Sequence, residues 1–432
     1  MYNRPLVYYL FFIVLGGIGF IISTTSYFLC ITLFLVILIP FFFTLEDKRF
    51  FVINIMFLLM GLLFFNLYFN IRINGNITVR VKEKDCYSYV GSFKGRKILL
   101  KGKVKNLKEG MKVSLKGNYK SGSIYEKGII GSYYVNDYKA NERDFICKIY
   151  EFKESAYEKY SKILGKEKAS VVLALCCGED KYISYENKKE YSRIGIVHVL
   201  SVSGFHICIV YKVIELIFGK MSPLIALVYV IFTGNKASAI RAYIMIVILK
   251  LSKGMYKSYD AISALCLAGM VLLALKPYYI LDIGFNLSFL STLGILLYYK
   301  KINRCLYRLP KMLNEGISMC FSAQVFSMPY MAFTLKDVSI SFLLGNVFLM
   351  PMYSITIILG NVTLVSIFID KLFRVFCYIL YPILLAIEGG SRILLALSLP
   401  NVKLNTFYGL SLTGFYIHYI LLKSIISTRD SY

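Results

Sequence analysis

The chain has 432 residues, of which 57% are hydrophobic and 16% aromatic, and its mean hydropathy is +0.61. A soluble domain with this apolar share would lack the polar surface that water requires, so the composition argues against a soluble protein and favours a membrane protein. The net charge of +25 suits anionic lipid headgroups or a polyanion such as nucleic acid, and an AT-rich genome would by itself supply some of the lysine.

Region 1–70 is predicted to hold three membrane spans, each long enough to cross ~30 Å of hydrocarbon. Arg4 precedes the first span and Lys48 with Arg49 separates the second from the third, so the positive-inside rule places the N-terminus in the cytoplasm and Asn74 outside. No small-residue cleavage site follows the first span, which we interpret as retained. The three apolar runs lie at about 6–22, 27–45 and 51–69.

Region 71–140 alternates polar and apolar residues in short stretches, which predicts a small extracytoplasmic all-β domain resembling an OB barrel. Tyrosines interleave with lysines there, as a single-strand-binding face requires, although a barrel core with a solvated lysine surface explains the pattern equally well. Cys86 could form a disulfide with Cys147, and the sequence does not decide whether it does. The candidate residues for outer DNA capture are Lys94, Arg96, Lys97, Lys101, Lys103, Lys105 and Tyr119.

Region 141–168 has apolar residues at helical spacing between charges, which predicts an amphipathic helix at a membrane surface or partner. Region 169–432 is predicted to be a second transmembrane domain, whose role as a channel domain is implied by the family resemblance described below, and it opens with a re-entrant or half helix at 169–177. The fold class is therefore an α-helical polytopic membrane protein with about 10 to 12 transmembrane helices, some of them broken or re-entrant. The later apolar segments lie near 194–218, 223–233, 237–250, 261–275, 280–299, 317–333, 340–368, 376–399 and 407–422.

The stretch 198–206 is the best site candidate, because polar residues inside a membrane segment are costly and usually face a cavity or a partner. A helix broken at Gly204 would turn a positive N-terminal end toward an anion in a wet cavity. A serine hydrolase using Ser203 and His206 is an alternative that lacks a nearby carboxylate, and polar ties between helices are another. The candidates for the substrate path in this stretch are His198, Ser201, Ser203, Gly204 and His206.

Further polar groups recur in the later apolar segments. Arg241 could meet a phosphate or snorkel to the interface, and Asp282 is expected to pair structurally with a cation such as Arg241. Asn286, Gln324 and Asn346 complete the predicted substrate path, while simple helix packing remains the competing explanation.

These stretches occur in an order that resembles the membrane domain of the ComEC family of competence proteins. The resemblance covers at least 169–351, and region 1–140 resembles the N-terminal part of the family. The motifs are His198-x-x-x-x-Ser-Gly-x-His206, Thr233-Gly-Asn-Lys-Ala-Ser-Ala-Ile-Arg241-Ala-Tyr-Ile-Met245, Pro277-x-x-x-x-Asp282-Ile-Gly-Phe-Asn-Leu-Ser-Phe-Leu290, Gln324 to Pro329, and Gly345-Asn346 to Pro351.

The resemblance implies a channel that imports single-stranded DNA across the bacterial cytoplasmic membrane in natural transformation. It implies no cofactor, metal or enzymatic activity, and the metallo-β-lactamase-like domain of many members is expected to be missing. The expected partners are single-stranded DNA and membrane lipids, with a DNA receptor, a cytoplasmic helicase or ATPase, a separate nuclease and a second copy of the chain as candidates. The rival functions are a secondary transporter or flippase for a smaller anion and a membrane serine hydrolase.

Overall fold

A computed structural model describes residues 4–71, 73, 75–84, 88–104, 107–140, 144–398, 401–403 and 411. The chain divides into two compact units. The first combines Met1–Ala156 with Val247–Asn286, and the second combines Tyr157–Ile246 with Leu287–Tyr432.

Most of the described chain is helical. In chain order the helices are α1 (Pro5–Ser23), α2 (Tyr27–Thr44), α3 (Lys48–Phe69), α4 (Phe145–Leu164), α5 (Lys166–Cys177), α6 (Tyr185–Arg193), α7 (Gly204–Phe218), α8 (Ser222–Phe232), α9 (Ala237–Gly254), α10 (Ala261–Leu275), α11 (Ile283–Cys305), α12 (Lys311–Thr334), α13 (Phe342–Val365) and α14 (Asp370–Leu397).

The first unit contains a closed barrel of five strands in the order β1-β2-β3-β5-β4. Strands β3 and β5 run parallel, and the other neighbours, including the closing pair β1 and β4, run antiparallel. A separate pair, β6 (Asp337–Val338) and β7 (Val402–Lys403), is antiparallel. The barrel strands are β1 (Ile77–Lys84), β2 (Tyr89–Phe93), β3 (Arg96–Gly102), β4 (Lys112–Ile124) and β5 (Ile129–Ala140).

Two features of the sequence favour the barrel: apolar residues that alternate along the strands, and one tight turn. Lys94 and Gly95 both adopt positive φ, 46° and 84°, between the paired residues Phe93 and Arg96, which is the two-residue turn that suits the twist of a hairpin. Alternate side chains fill the interior, because successive residues of a strand point to opposite faces. The most deeply buried are Val79, Val81, Ile98, Leu100, Val113, Leu115, Ile130 and Tyr133.

In the helical part of the first unit, α1 and α3 approach each other backbone to backbone. A Cβ on Gly16 would collide with the carbonyl oxygen of Leu58, and a Cβ on Gly61 would collide with that of Ile13. Small residues at such crossings let membrane helices pack by van der Waals contact. Helix α10 also packs against α1.

A short 3-10 turn, Pro277–Leu281, follows α10 and contacts the barrel. The backbone of Gly128, between β4 and β5, lies against the ring of Tyr278. The hydroxyl of Tyr68, at the end of α3, donates to the Gly128 carbonyl at 3.0 Å. The barrel is thus fixed to the ends of α3 and α10.

In the second unit, α13 is the central helix and packs against α5, α7, α12 and α14. Helix α5 is buried over Ala169–Cys177 and ends at Gly178 in the left-handed conformation, φ 74°. Its 12 residues rise about 18 Å, which is well short of a bilayer core. A short helix is therefore present over the predicted stretch 169–177, and its insertion part-way into a membrane stays a prediction.

Length and composition allow six segments of the described chain to cross a membrane. The coarse fold prediction, a mostly helical membrane protein with a small barrel, is confirmed, whereas the count of 10 to 12 spans stays a prediction. The segment predicted at 407–422 lies outside the described residues except for Ser411. The six segments are Pro5–Ser23, Tyr27–Thr44, Lys48–Phe69, Gly204–Phe232, Phe342–Phe368 and Asp370–Leu397.

Candidate functional site

The chain is broken just before α7, as the stretch 198–206 predicted. A 3-10 turn covers Val197–Val199, and Ser203 is extended, with φ −116° and ψ 175°, before α7 begins at Gly204. The first N–H groups of α7 have no partner within that helix, so this end carries partial positive charge. His198, on the turn, is exposed.

Ser203 and His206 form a helix cap. The Ser203 N–H donates to His206 Nδ1 at 3.2 Å, and Ser203 Oγ lies 3.0 Å from the same nitrogen. His206 thus occupies the N3 position and bonds back to the N-cap backbone, as in a capping box. It is 0% exposed, and no carboxylate of the described chain bonds its Nε2. This geometry explains the pair as a structural cap and supplies no orienting acid for a hydrolase.

Arg241 lies directly against the start of α7. A Cβ on Gly204 would be 2.6 Å from Arg241 Nη2, so a larger residue would force the guanidinium to shift. Arg241 Nη1 donates to the hydroxyl of Thr292, and the guanidinium carbon lies 5.9 Å from the centre of the Phe289 ring. The side chain is 8% exposed, and its Nε is buried without a hydrogen-bond partner in the described chain.

Lys236 adds a cation that the sequence analysis did not select. Its Nζ donates to Ser201 Oγ at 3.1 Å, and both Lys236 and His198 are electrostatic neighbours of His206. The turn before α9, where Asn235 has φ 55°, orients Lys236. Lys236 lies inside the motif from Thr233 to Met245, and this position was the signal in the sequence that could have identified it. Thr292 had none, because its role depends on a contact with a different helix.

The site therefore gathers basic groups at the positive end of a helix. Lys236 and Arg241 are permanent cations, and His198 joins them when protonated. Such an arrangement attracts anions, and phosphate above all. Among the described residues, no group of three His, Cys, Asp or Glu side chains is placed to hold a metal ion.

The remaining predicted path residues make local hydrogen bonds. In the first unit, Asn286 Nδ2 donates to the Ile280 carbonyl at 2.8 Å. In the second, Gln324 Oε1 accepts from Ser327 Oγ at 3.2 Å, and Asn346 Nδ2 donates to a carbonyl one helical turn earlier. A position on the substrate path stays a prediction for Asn286, Gln324 and Asn346.

Asp282 has neighbours other than the expected Arg241. Its Oδ1 accepts the Phe285 N–H at 2.7 Å and so caps α11. Its carboxylate also acts electrostatically on Lys97 and Lys276 of the same unit. Because Arg241 belongs to the other unit and bonds Thr292, the pairing of Asp282 with Arg241 stays a prediction.

Three of the predicted capture residues make contacts within the first unit, and their role in outer capture stays a prediction. Arg96 donates to the carbonyls of Leu67 and Tyr68 at the end of α3, at 2.8 and 2.9 Å. Tyr119 donates to the Ile130 carbonyl at 2.8 Å, and burial raises its pKa. Lys97 is half-buried, with its Nζ 5.1 Å from the Tyr278 ring.

The exposed part of the predicted set is Lys94, Lys101 and Lys103, whereas Lys105 and Cys86 lie outside the described residues. Tyr134, which is 42% exposed, lies beside Lys101 across the parallel pair of β3 and β5. Alternation along β5 could have separated exposed Tyr134 from its buried neighbour Tyr133. Lys101 and Tyr134 therefore place a cation and an exposed ring side by side, whereas a stacking role for Tyr119 stays a prediction.

The class defined by this geometry is a polytopic helical membrane protein with a small basic barrel and a cationic break in its second unit. The chain belongs to the ComEC family of competence proteins, because the family described as "Competence protein" matches residues 175–429, more than half of the chain.

Two similar proteins illustrate the relationship. The chain is 24% identical over 243 residues to "ComE operon protein 3" of Bacillus subtilis (strain 168), covering 54% of this chain and 31% of that protein. It is 27% identical over 256 residues to an "Uncharacterized protein" of Aquifex aeolicus (strain VF5), covering 54% and 58%. The chain thus spans less than two thirds of either relative. No solved structure gives a significant match.

Proposed function

We propose that this chain forms the passage through which single-stranded DNA crosses the bacterial cytoplasmic membrane during natural transformation. The observation that carries the proposal is the convergence of Lys236 and Arg241 on the start of α7, within the segment matched to the competence family. A buried guanidinium with a spare N–H is a costly feature in a dry packing seam and a useful one beside a phosphate.

The barrel is proposed to capture the strand outside the cell. Its strand order fits the OB-like architecture predicted from the sequence, and such barrels bind single strands with cations and exposed rings. Lys101 and Tyr134 supply one of each on adjacent strands. Placement of region 71–140 outside the membrane, and of α4 on its surface, follows the positive-inside argument and forms part of this proposal.

Transfer of a polymer requires partners beyond the chain itself. We propose that a DNA receptor delivers the strand, that a cytoplasmic helicase or ATPase pulls it, and that a separate nuclease removes its complement. A second copy of the chain completes the list of proposed partners.

Charge reversal on the barrel tests the capture step. In cells that rely on this protein, Lys101→Glu with Lys103→Glu should reduce uptake of labelled DNA strongly. With purified protein, each lost phosphate contact should lower the slope of log affinity against log salt by about 0.7. Lys108→Glu, in the loop before β4, is the matched control. Unchanged uptake and an unchanged salt slope in the double variant would remove the capture role.

A transporter for a smaller anion is the second candidate, since buried Arg241 and partly buried Lys236 at a helix end would serve it equally well. Deletion of the barrel distinguishes DNA transport from transport of a smaller anion. Deleting 77–140 should abolish DNA uptake if the chain conducts DNA. If transport of a small anion depends on Lys236 and Arg241 but survives that deletion, the second function is correct.

A further inference from the structure

Three half-buried lysines converge at the base of the barrel, in the first unit. Lys82 lies on β1, Lys97 on β3, and Lys276 directly after α10. Burial is the largest cause that lowers the pKa of Lys82 and of Lys97. Repulsion adds to it, from Lys276 and Lys97 at Lys82 and from Lys276 at Lys97. Like charges gathered in a partly dry site repel, so this arrangement carries a cost that needs an explanation.

The nearest partners of Lys97 and Lys276 do not cancel their charge. Lys276 Nζ donates to the Tyr279 hydroxyl at 3.0 Å, and Lys97 Nζ lies 5.1 Å from the centre of the Tyr278 ring. The two rings are in edge contact, with centres 5.0 Å apart. Hydroxyls and ring faces orient ammonium groups but leave the net charge unchanged.

Among the described residues, the carboxylates that face the cluster are Glu83 and Asp282. Glu83 is exposed, and one oxygen of Asp282 already caps α11. Arg96, which bonds the end of α3, adds a further cation at the same edge of the barrel. Over the residues that the structure describes, the charges around the cluster therefore sum to an excess of positive charge at a half-buried position, which an anion would neutralise.

We propose that this lysine cluster is a phosphate-binding site that holds the backbone of the incoming single strand at the base of the barrel. The inference rests on the proposed function and adds a second contact point for the same DNA. The ligand of this site is a phosphodiester group, which the ammonium groups of the lysines on β1, on β3 and after α10 bind.

Continuity along β3 favours a polymer over a single lipid headgroup. Lys97 and Lys101 are four residues apart on the outer face of β3, which is about 13 Å at ~3.3 Å per residue. Lys101 is exposed beside Tyr134 on the proposed capture surface. A strand with repeating phosphates can occupy both positions, whereas one headgroup fills only the cluster.

The test uses the unusual protonation of Lys82. Burial, followed by repulsion from Lys276 and Lys97, lowers its pKa to about 8. Lys82 is therefore charged below that pH and neutral above it. If a phosphate needs the charged form, affinity for a labelled oligodeoxyadenylate, whose bases do not titrate in this range, should fall about tenfold between about pH 7 and about pH 9.

The measurement uses the full chain in phosphatidylcholine nanodiscs. Lys82→Arg keeps its charge throughout this range, so that variant should bind equally well at both pH values. Lys101→Gln, the control on the same face, should weaken binding but keep the pH dependence. Equal affinity of Lys82→Arg and the unmodified protein at the lower pH shows that the variant is folded.

Two results would overturn the inference while leaving DNA uptake intact. One is DNA binding with no pH dependence, or with the same dependence in Lys82→Arg. The other is DNA binding unaffected by Lys82→Gln, combined with loss of co-purifying anionic phospholipid, which would assign the cluster to lipid. If the unmodified protein binds no single strand at any pH, the proposed function itself fails and the inference falls with it.

Discussion

Gly204 is the residue on which the candidate site depends most closely. Its missing side chain admits Arg241 to the start of α7. Gly204→Ala should push the guanidinium out of position, cost about 1–3 kcal/mol of stability through overpacking, and reduce DNA uptake sharply. Uptake should be compared at equal protein levels in the membrane.

The control for that substitution is Gly389→Ala. Gly389 lies within α14, and a Cβ there meets nothing within 4 Å, so alanine should be tolerated. If Gly204→Ala and Gly389→Ala support the same uptake, Arg241 has no role in transport at its observed position.

Asp144 is the residue that ties the barrel to α4. It receives two N–H bonds from Arg80 and caps α4 through the Cys147 N–H at 3.0 Å. The bond from Arg80, followed by the Cys147 N–H, holds the pKa of the Asp144 carboxyl well below its usual range. A depressed pKa means stability that is present above the unfolded value of about 4 and is lost as pH falls further.

Water screens this pair, because the two side chains are 22% and 35% exposed, so its worth is about 1 kcal/mol. Asp144→Asn should therefore speed hydrogen exchange at the amides of β1 near neutral pH and remove the loss of protection on acidification. Asp137→Asn, at an exposed position on β5, should leave the exchange unchanged. Equal protection in both variants would show that the pair does not hold the barrel.

At the scale of elements, a substitution at the start of α7 distinguishes a helix-capping role of Ser203 from a catalytic role in a hydrolase. If Ser203 serves only as a cap, Ser203→Ala should lower the free energy of unfolding by about 1 kcal/mol. A serine-reactive probe should then label neither the unmodified protein nor the variant. Covalent labelling of the unmodified protein that disappears in Ser203→Ala would instead establish a nucleophile and revive the hydrolase.

The elements also show what sequence could and could not predict. Alternation and the Lys94-Gly95 turn are local, so the barrel was predictable from its own residues. The inward roles of Arg96 and Lys97 were not, because the end of α3 and the turn at Pro277–Leu281 cover that edge from distant parts of the chain. From sequence alone, a lysine in a basic stretch is predicted to be solvated, because its neighbours in space are unknown.

For the whole molecule, hydropathy and ordered motifs were sufficient for the membrane class and the family, because both depend on runs of sequence. The number of spans was harder to predict. Helix α5 and the short helix α8 are apolar yet too short to cross a bilayer alone, so length cannot decide which segments span.

Photo-crosslinking during uptake tests the central claim most directly. A photoreactive residue would replace either exposed His198 or Leu216, which lies on α7 and is 87% exposed. With labelled DNA arrested in transfer, crosslinks should form at position 198 and not at position 216. Active uptake without a crosslink at 198, or with equal crosslinks at both positions, would contradict a DNA path along the broken start of α7.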